Sequence, residues 1–158
     1  MKKLLFIVLI ALTSWSVKAQ DIKLFDSYLR AGDLETRYVV VLTDNTIWWF
    51  APGYDWEKSS KAGLPDKSIK LISCYSHTDA TTRYVVVLSD NSIWWYAPGT
   101  DWKKSSSKGL PAGFDIVHFK AYSKSDGTRY TAVLKDGSIW WFAPGNLWKK
   151  SSIAGLPN

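Results

Sequence analysis

What this 158-residue chain lacks narrows its reading first. It has a single cysteine, Cys74, so one chain cannot close an internal disulfide and must hold together by packing. Its two histidines, His77 and His118, stand at unrelated places without metal-ligand spacing. There is no glycine-rich phosphate loop and no nucleophile elbow. Acids and bases do not converge in any motif, so we expect no catalytic residue, no metal site, no cofactor and no enzyme activity. Beyond the first residues no stretch keeps a helical period, and the body of the chain reads as all-β.

Charge is sparse as well. Lys2 and Lys3 precede the apolar run LLFIVLIAL, and Val17 and Ala19 supply small residues before a cleavage point. Residues 1–19 therefore read as a secretory signal peptide, with an apolar run too short for a span of about 20 residues. The exported chain would start at Gln20, secreted or periplasmic, with no membrane span left. Lys2, Lys3 and Lys18 leave with the leader, taking 20 basic residues to 17 against 14 acids and the net charge to about +3. That falls short of the concentrated basic patch that nucleic acid requires.

What the chain does have is tryptophan, ten in all, and a phrase repeated three times: DNTIWWFAPGYDW, DNSIWWYAPGTDW and DGSIWWFAPGNLW. Arg37, Arg83 and Arg129 are 46 residues apart, as are Trp48, Trp94 and Trp140, and Trp56, Trp102 and Trp148. Residues 20–158 read as one domain of three such units, about 20–65, 66–111 and 112–158. Cys74 corresponds to Ala121 in the next unit, which points to a small buried residue.

Each unit reads as four short strands. In the third these are IVHFKAY, RYTAVL, SIWWFA and LWKKSS. The KDG, TDN and SDN between the second and third strands are tight hairpin chemistry, and the APG and GLP stretches are turns. In YVVVL both alternating sets are apolar, as are both sets in IWWF, so each predicts a strand buried on two faces. The polar DWKKSS suits an outer edge guarded by lysines. Two architectures fit. A β-trefoil closes with three such units. A β-propeller uses four-stranded blades but needs about 4–8 of them. Three blades would be half of a six-bladed ring, completed by a homodimer.

The order GLP, a strand ending AYS, DGTRYTAVL, a DG hairpin, SIWWF and a late tryptophan resembles the blades of small secreted lectin propellers, the tectonin group and the fucose-binding fungal and bacterial lectins. That resemblance covers the chain from Gln20 and implies a propeller that binds carbohydrate without catalysis. It also implies a ligand role for Arg37, Arg83 and Arg129, since fucose lectins carry an arginine near the start of the second strand. Their third strand carries a glutamate where this sequence places Trp49, Trp95 and Trp141.

The residue types agree with a glycan or glycoconjugate as partner. Sugars present flat C–H patches beside hydroxyls, which an aromatic platform and hydrogen-bonding arginine or aspartate recognise together. We expect Arg37, Arg83, Arg129, Trp56, Trp102, Trp148, Asp55 and Asp101 to carry binding, with the three tryptophans reaching the surface. In the third unit Asn146 and Leu147 replace the tyrosine- or threonine-aspartate pair, so a site using aspartate would be weaker there. The same repeated surface also suits a protein-interaction module, and the tryptophans could equally be core.

Overall fold

A computed structural model of the chain describes residues 21–154. The expected signal peptide, residues 1–19, and the third GLP turn, residues 155–157, lie outside the described residues. The chain forms twelve strands and no helix among those residues: β1 (Ile22–Leu29), β2 (Thr36–Leu42), β3 (Ile47–Phe50), β4 (Glu57–Lys58), β5 (Ile69–Ser76), β6 (Thr82–Leu88), β7 (Ile93–Tyr96), β8 (Lys103–Lys104), β9 (Ile116–Lys124), β10 (Gly127–Leu134), β11 (Ile139–Phe142) and β12 (Lys149–Lys150).

These make three antiparallel sheets with the same order, β1-β2-β3-β4, β5-β6-β7-β8 and β9-β10-β11-β12. We call them the first, second and third sheets. The registers repeat. Trp49 pairs with Val39 and Glu57, Trp95 with Val85 and Lys103, Trp141 with Thr131 and Lys149. The fourth strand is shorter than its sequence suggested, because only two residues of each polar segment join the ladder.

The hairpins follow from their turn residues. Asn45, Asn91 and Gly137 take positive φ of 59°, 62° and 80°, the conformation that asparagine and glycine tolerate best. The aspartates before them are local anchors. Asp44, Asp90 and Asp136 each accept the backbone N–H two residues on, at 2.9 Å. The hydroxyl they hold then accepts the indole N–H of Trp48, Trp94 or Trp140.

The inner strands lie side by side, β1 against β5 and β5 against β9, while the backbones of β9 and β1 stand apart. Lys120 of β9 nonetheless reaches Asp26 of β1 at 2.8 Å, so the three inner strands curve about one axis. No closed barrel forms among the described residues, as a trefoil would require. The sheets stack face to face instead. The back of the first sheet, with Val39, Val41 and Ile47, buries against the front of the second, with Ile72, Cys74, Tyr84 and Val86. The back of the second, with Val85, Val87 and Ile93, buries against the front of the third, with Ala121, Tyr130 and Ala132. Both faces of β6 are thus covered, which is why its run is apolar without alternation.

Candidate functional site

Each junction between sheets is sealed at its core and opens outward into a cleft. Between the second and third sheets the cleft holds about 440 Å³ and is lined by Arg83 and Trp95 on one wall and Tyr130, Phe142 and Pro144 on the other. Between the first and second sheets the equivalent residues line two adjoining hollows. One, of about 520 Å³, has Trp49, Glu57, Tyr84 and Tyr96; the other, of about 350 Å³, has Arg37, Trp49, Tyr54 and Thr82. Volumes of this size are typical of small-molecule sites.

The arginine wall is built the same way each time. The arginine stands near the start of the second strand and is held by a carboxylate from the loop before it. Arg37 bonds Asp33 at 2.7 Å, Arg83 bonds Asp79 at 2.9 Å, and Arg129 bonds Asp126. Backbone and side-chain hydrogen bonds from Thr81, with Arg83 beside it, hold the Asp79 carboxyl well below the usual carboxylate range. The Glu35 backbone N–H, with Arg37 and Arg30 beside it, lowers the Asp33 carboxyl in the same direction. The Arg83 Nε is shielded from solvent and has no hydrogen-bond partner within the chain. A buried donor left unmade is costly, and a group bound in the cleft reaches this one only if the side chain shifts.

The opposite wall is an aromatic ladder crossing the sheet. Tyr84 stacks on Tyr96 at 5.7 Å and 3°, and Tyr96 on Trp102 at 5.3 Å. Tyr130 stacks on Phe142 at 5.4 Å, and Phe142 meets Trp148 at 5.6 Å. Lys103 lies over the Trp95 ring at 5.4 Å, and Lys149 over Trp141 at 5.5 Å. In the first sheet Glu57 takes that lysine's place beside Trp49. The two complete clefts thus differ in charge at one corner.

The structure sorts the residues expected to bind. Arg37 and Arg83 line clefts, and Arg129 stands on the back of the third sheet, which has no sheet opposite among the described residues. Asp55 and Asp101 are exposed before the fourth strand and line none of these clefts. The expected exposure of the late tryptophans holds for Trp56, 45% exposed, and fails for Trp102 and Trp148, each 3% exposed. The adjoining sheet covers them, and their indole N–H groups donate to the carbonyls of Ser60 and Ser106 at 2.8 and 2.9 Å. They form the buried last rung of the ladder. Trp49 and Trp95 stand beside the arginines on the same wall and were not among the residues expected to bind. The signal was the second W of each WW pair, at the position where the similar lectins carry glutamate.

Among the described residues no group of His, Cys, Asp and Glu side chains is placed to hold a metal ion. No protein-family model matches the chain, and no curated protein sequence does. A solved structure does. A fucose lectin from Kordia zhangzhouensis, in complex with methyl-fucoside, superposes with a TM-score of 0.52 at 12% identity, over 81% of this chain and 97% of that one. The likeness is one of fold.

Proposed function

We propose that this is an exported, non-catalytic carbohydrate-binding protein whose sites are the clefts between adjacent sheets. Arg37 with Trp49, and Arg83 with Trp95, are the groups we assign to the ligand. The carrying observation is the Arg83 side chain. A loop carboxylate fixes its guanidinium in the cleft lining, opposite an aromatic wall. A pyranose offers what such a cleft wants: hydroxyl oxygens for the guanidinium and a C–H face for the rings.

The fold shared with a fucose lectin supports the sugar class. Tryptophan in place of a third-strand acid favours a ligand recognised more by its apolar face. Glu57 gives the first cleft a hydroxyl acceptor where the second has Lys103, so the two are expected to rank sugars differently. Individually weak sites repeated along the chain would act through avidity on a multivalent glycoconjugate.

A glycan array with free-sugar competition tests this. Binding that soluble sugar abolishes is the expected result. Binding to protein that no sugar displaces would instead make the clefts peptide grooves, and a blank array would overturn the reading.

A further inference from the structure

The two outermost sheet faces are the unused halves of a junction that the chain forms twice internally. The front of the first sheet carries Phe25, Tyr38, Phe50 and Trp56, four rings in series at 5.9, 6.0 and 5.4 Å. Phe25 is 57% exposed, whereas Ile72, at the same register in the second sheet, is 8% exposed. The back of the third sheet carries Val133, Ile139 and Trp141. These correspond to Val41, Ile47 and Trp49, which pack into the first junction.

The hydrogen bonds at the internal junctions have matching loose ends too. The hydroxyl of Tyr28 bonds that of Thr82, and Tyr75 bonds Thr128 at 2.7 Å. The next members of those series are Tyr122, exposed at one end, and Thr36 at the other. The Trp102 and Trp148 indoles donate to Ser60 and Ser106, which leaves Trp56 and Ser152 at the two ends. Exposed ladders of this kind are rare on soluble monomers.

We propose that a second copy of this chain covers both faces, front on back at each end, through a closed two-fold arrangement. Closed propellers hold about 4–8 blades, and copies of three sheets reach that range only as a pair. Resting on the sugar reading above, each new junction also completes a third cleft. Its walls are Arg129 and Trp141 of one copy and the partner's Tyr38 and Phe50.

This junction differs from the internal ones near the axis. Asp26 and Ser73 accept the amides of Cys74 and Ala121, but Lys120 stands third in that series and bonds Asp26 of its own chain. Asn45 and Asn91 accept the amides of Ile69 and Ile116, and Gly137 follows them with no side chain. The contact between copies is therefore carried by the outer, aromatic half.

Light scattering on residues 20–158 at roughly micromolar concentration should give twice the chain mass; a monomer, or any other multiple, overturns the proposal. Phe25→Glu and Val133→Glu should each yield folded monomers by circular dichroism. Mixed one to one they should recover a dimer, because one native front then meets one native back. If Phe25→Glu dissociates the dimer while Val133→Glu does not, fronts pair with fronts and the proposal fails. Hydroxyl-radical footprinting needs no variant to fold: at micromolar concentration Trp56 should be as unreactive as the buried Trp102 and Trp148, and a Trp56 that reacts several-fold faster than they do overturns the proposal. A dimer with a blank glycan array fails the sugar reading alone, and a sugar-binding monomer fails the ring alone.

Discussion

Trp102 donates its indole N–H to the carbonyl of Ser60, 42 residues earlier, at 2.8 Å. That bond ties the outer edge of the second sheet to the segment leaving the first. The neighbouring backbone repeats the link, the Trp102 amide bonding the Ala62 carbonyl at 2.9 Å. Gly63 makes the approach possible. At its φ of 81° an added Cβ would stand 2.8 Å from the Trp102 carbonyl oxygen. The sheets are therefore joined at the rim as well as through the apolar core.

Trp102→Ala should accordingly cost about 3–5 kcal/mol, the usual range for emptying a buried tryptophan site. Trp102→Phe should cost less, because ring volume is largely kept while the Ser60 carbonyl loses its donor, a loss of about 1–3 kcal/mol. Urea unfolding followed by circular dichroism measures both. Equal losses would mean that the hydrogen bond, not packing, dominates at this site.

The strands and turns were legible from local chemistry. Alternation placed Val39 and Val41 on one face of their strand, and the aspartate before each Asn or Gly turn marked the hairpins. Exposure of the late tryptophans was not legible. Trp56, Trp102 and Trp148 sit in nearly identical polar contexts, and what separates them is whether another sheet lies in front. That relation spans more than 40 residues and leaves no trace in the neighbours of each ring. The clefts were half legible. The arginines stood out by repetition, but the aromatic wall opposite Arg83 comes from the following unit, at Tyr130 and Phe142.

Asn91 makes a second strap between sheets. Its Oδ1 accepts the Ile116 amide at 3.2 Å and Lys70 at 3.0 Å, while its Nδ2 donates to the Phe114 carbonyl at 3.0 Å. Asn91→Gly keeps the left-handed turn and loses the bonds. Asn91→Ala loses the bonds and strains the turn by a further 1–2 kcal/mol or so. Thermal unfolding should rank wild type above glycine above alanine. An alanine variant as stable as the glycine one would show that the backbone conformation contributes nothing here.

Arg83→Ala should remove one of the intrachain sites and leave the fold in place. The guanidinium lies at the cleft wall, and its ion pair with the exposed Asp79 contributes little to stability. Calorimetric titration with the array-selected sugar should show one site fewer per chain and an unchanged melting temperature. Unchanged stoichiometry would remove Arg83 from the site. Trp102→Ala is the wrong probe for this question, because it acts through the fold.

Cys74 is fully buried, and burial with the adjacent Asp26 pushes its thiol up. The thiolate is the reactive form, so alkylating or disulfide reagents should leave native protein untouched at neutral pH and titrate one thiol after denaturation. Labelling at the rate of a free thiol, without unfolding, would place Cys74 at an accessible surface.

Alkaline pH should reveal the buried tyrosines. Burial raises Tyr28, Tyr75, Tyr84 and Tyr130 above the ordinary 10.0, with desolvation of the phenolate the leading cause each time. The sign follows from linkage. Above pH 10 the unfolded chain releases these protons while the folded chain keeps them, so stability is complete below 10 and declines as pH rises towards the folded values. In a spectrophotometric titration these four should ionise only in a steep step well above pH 10 that coincides with loss of the near-ultraviolet circular dichroism. A single smooth ionisation of every tyrosine near pH 10, with the fold intact, would mean that the sheet junctions admit water and that the ladders of Tyr84 and Tyr130 are not sealed.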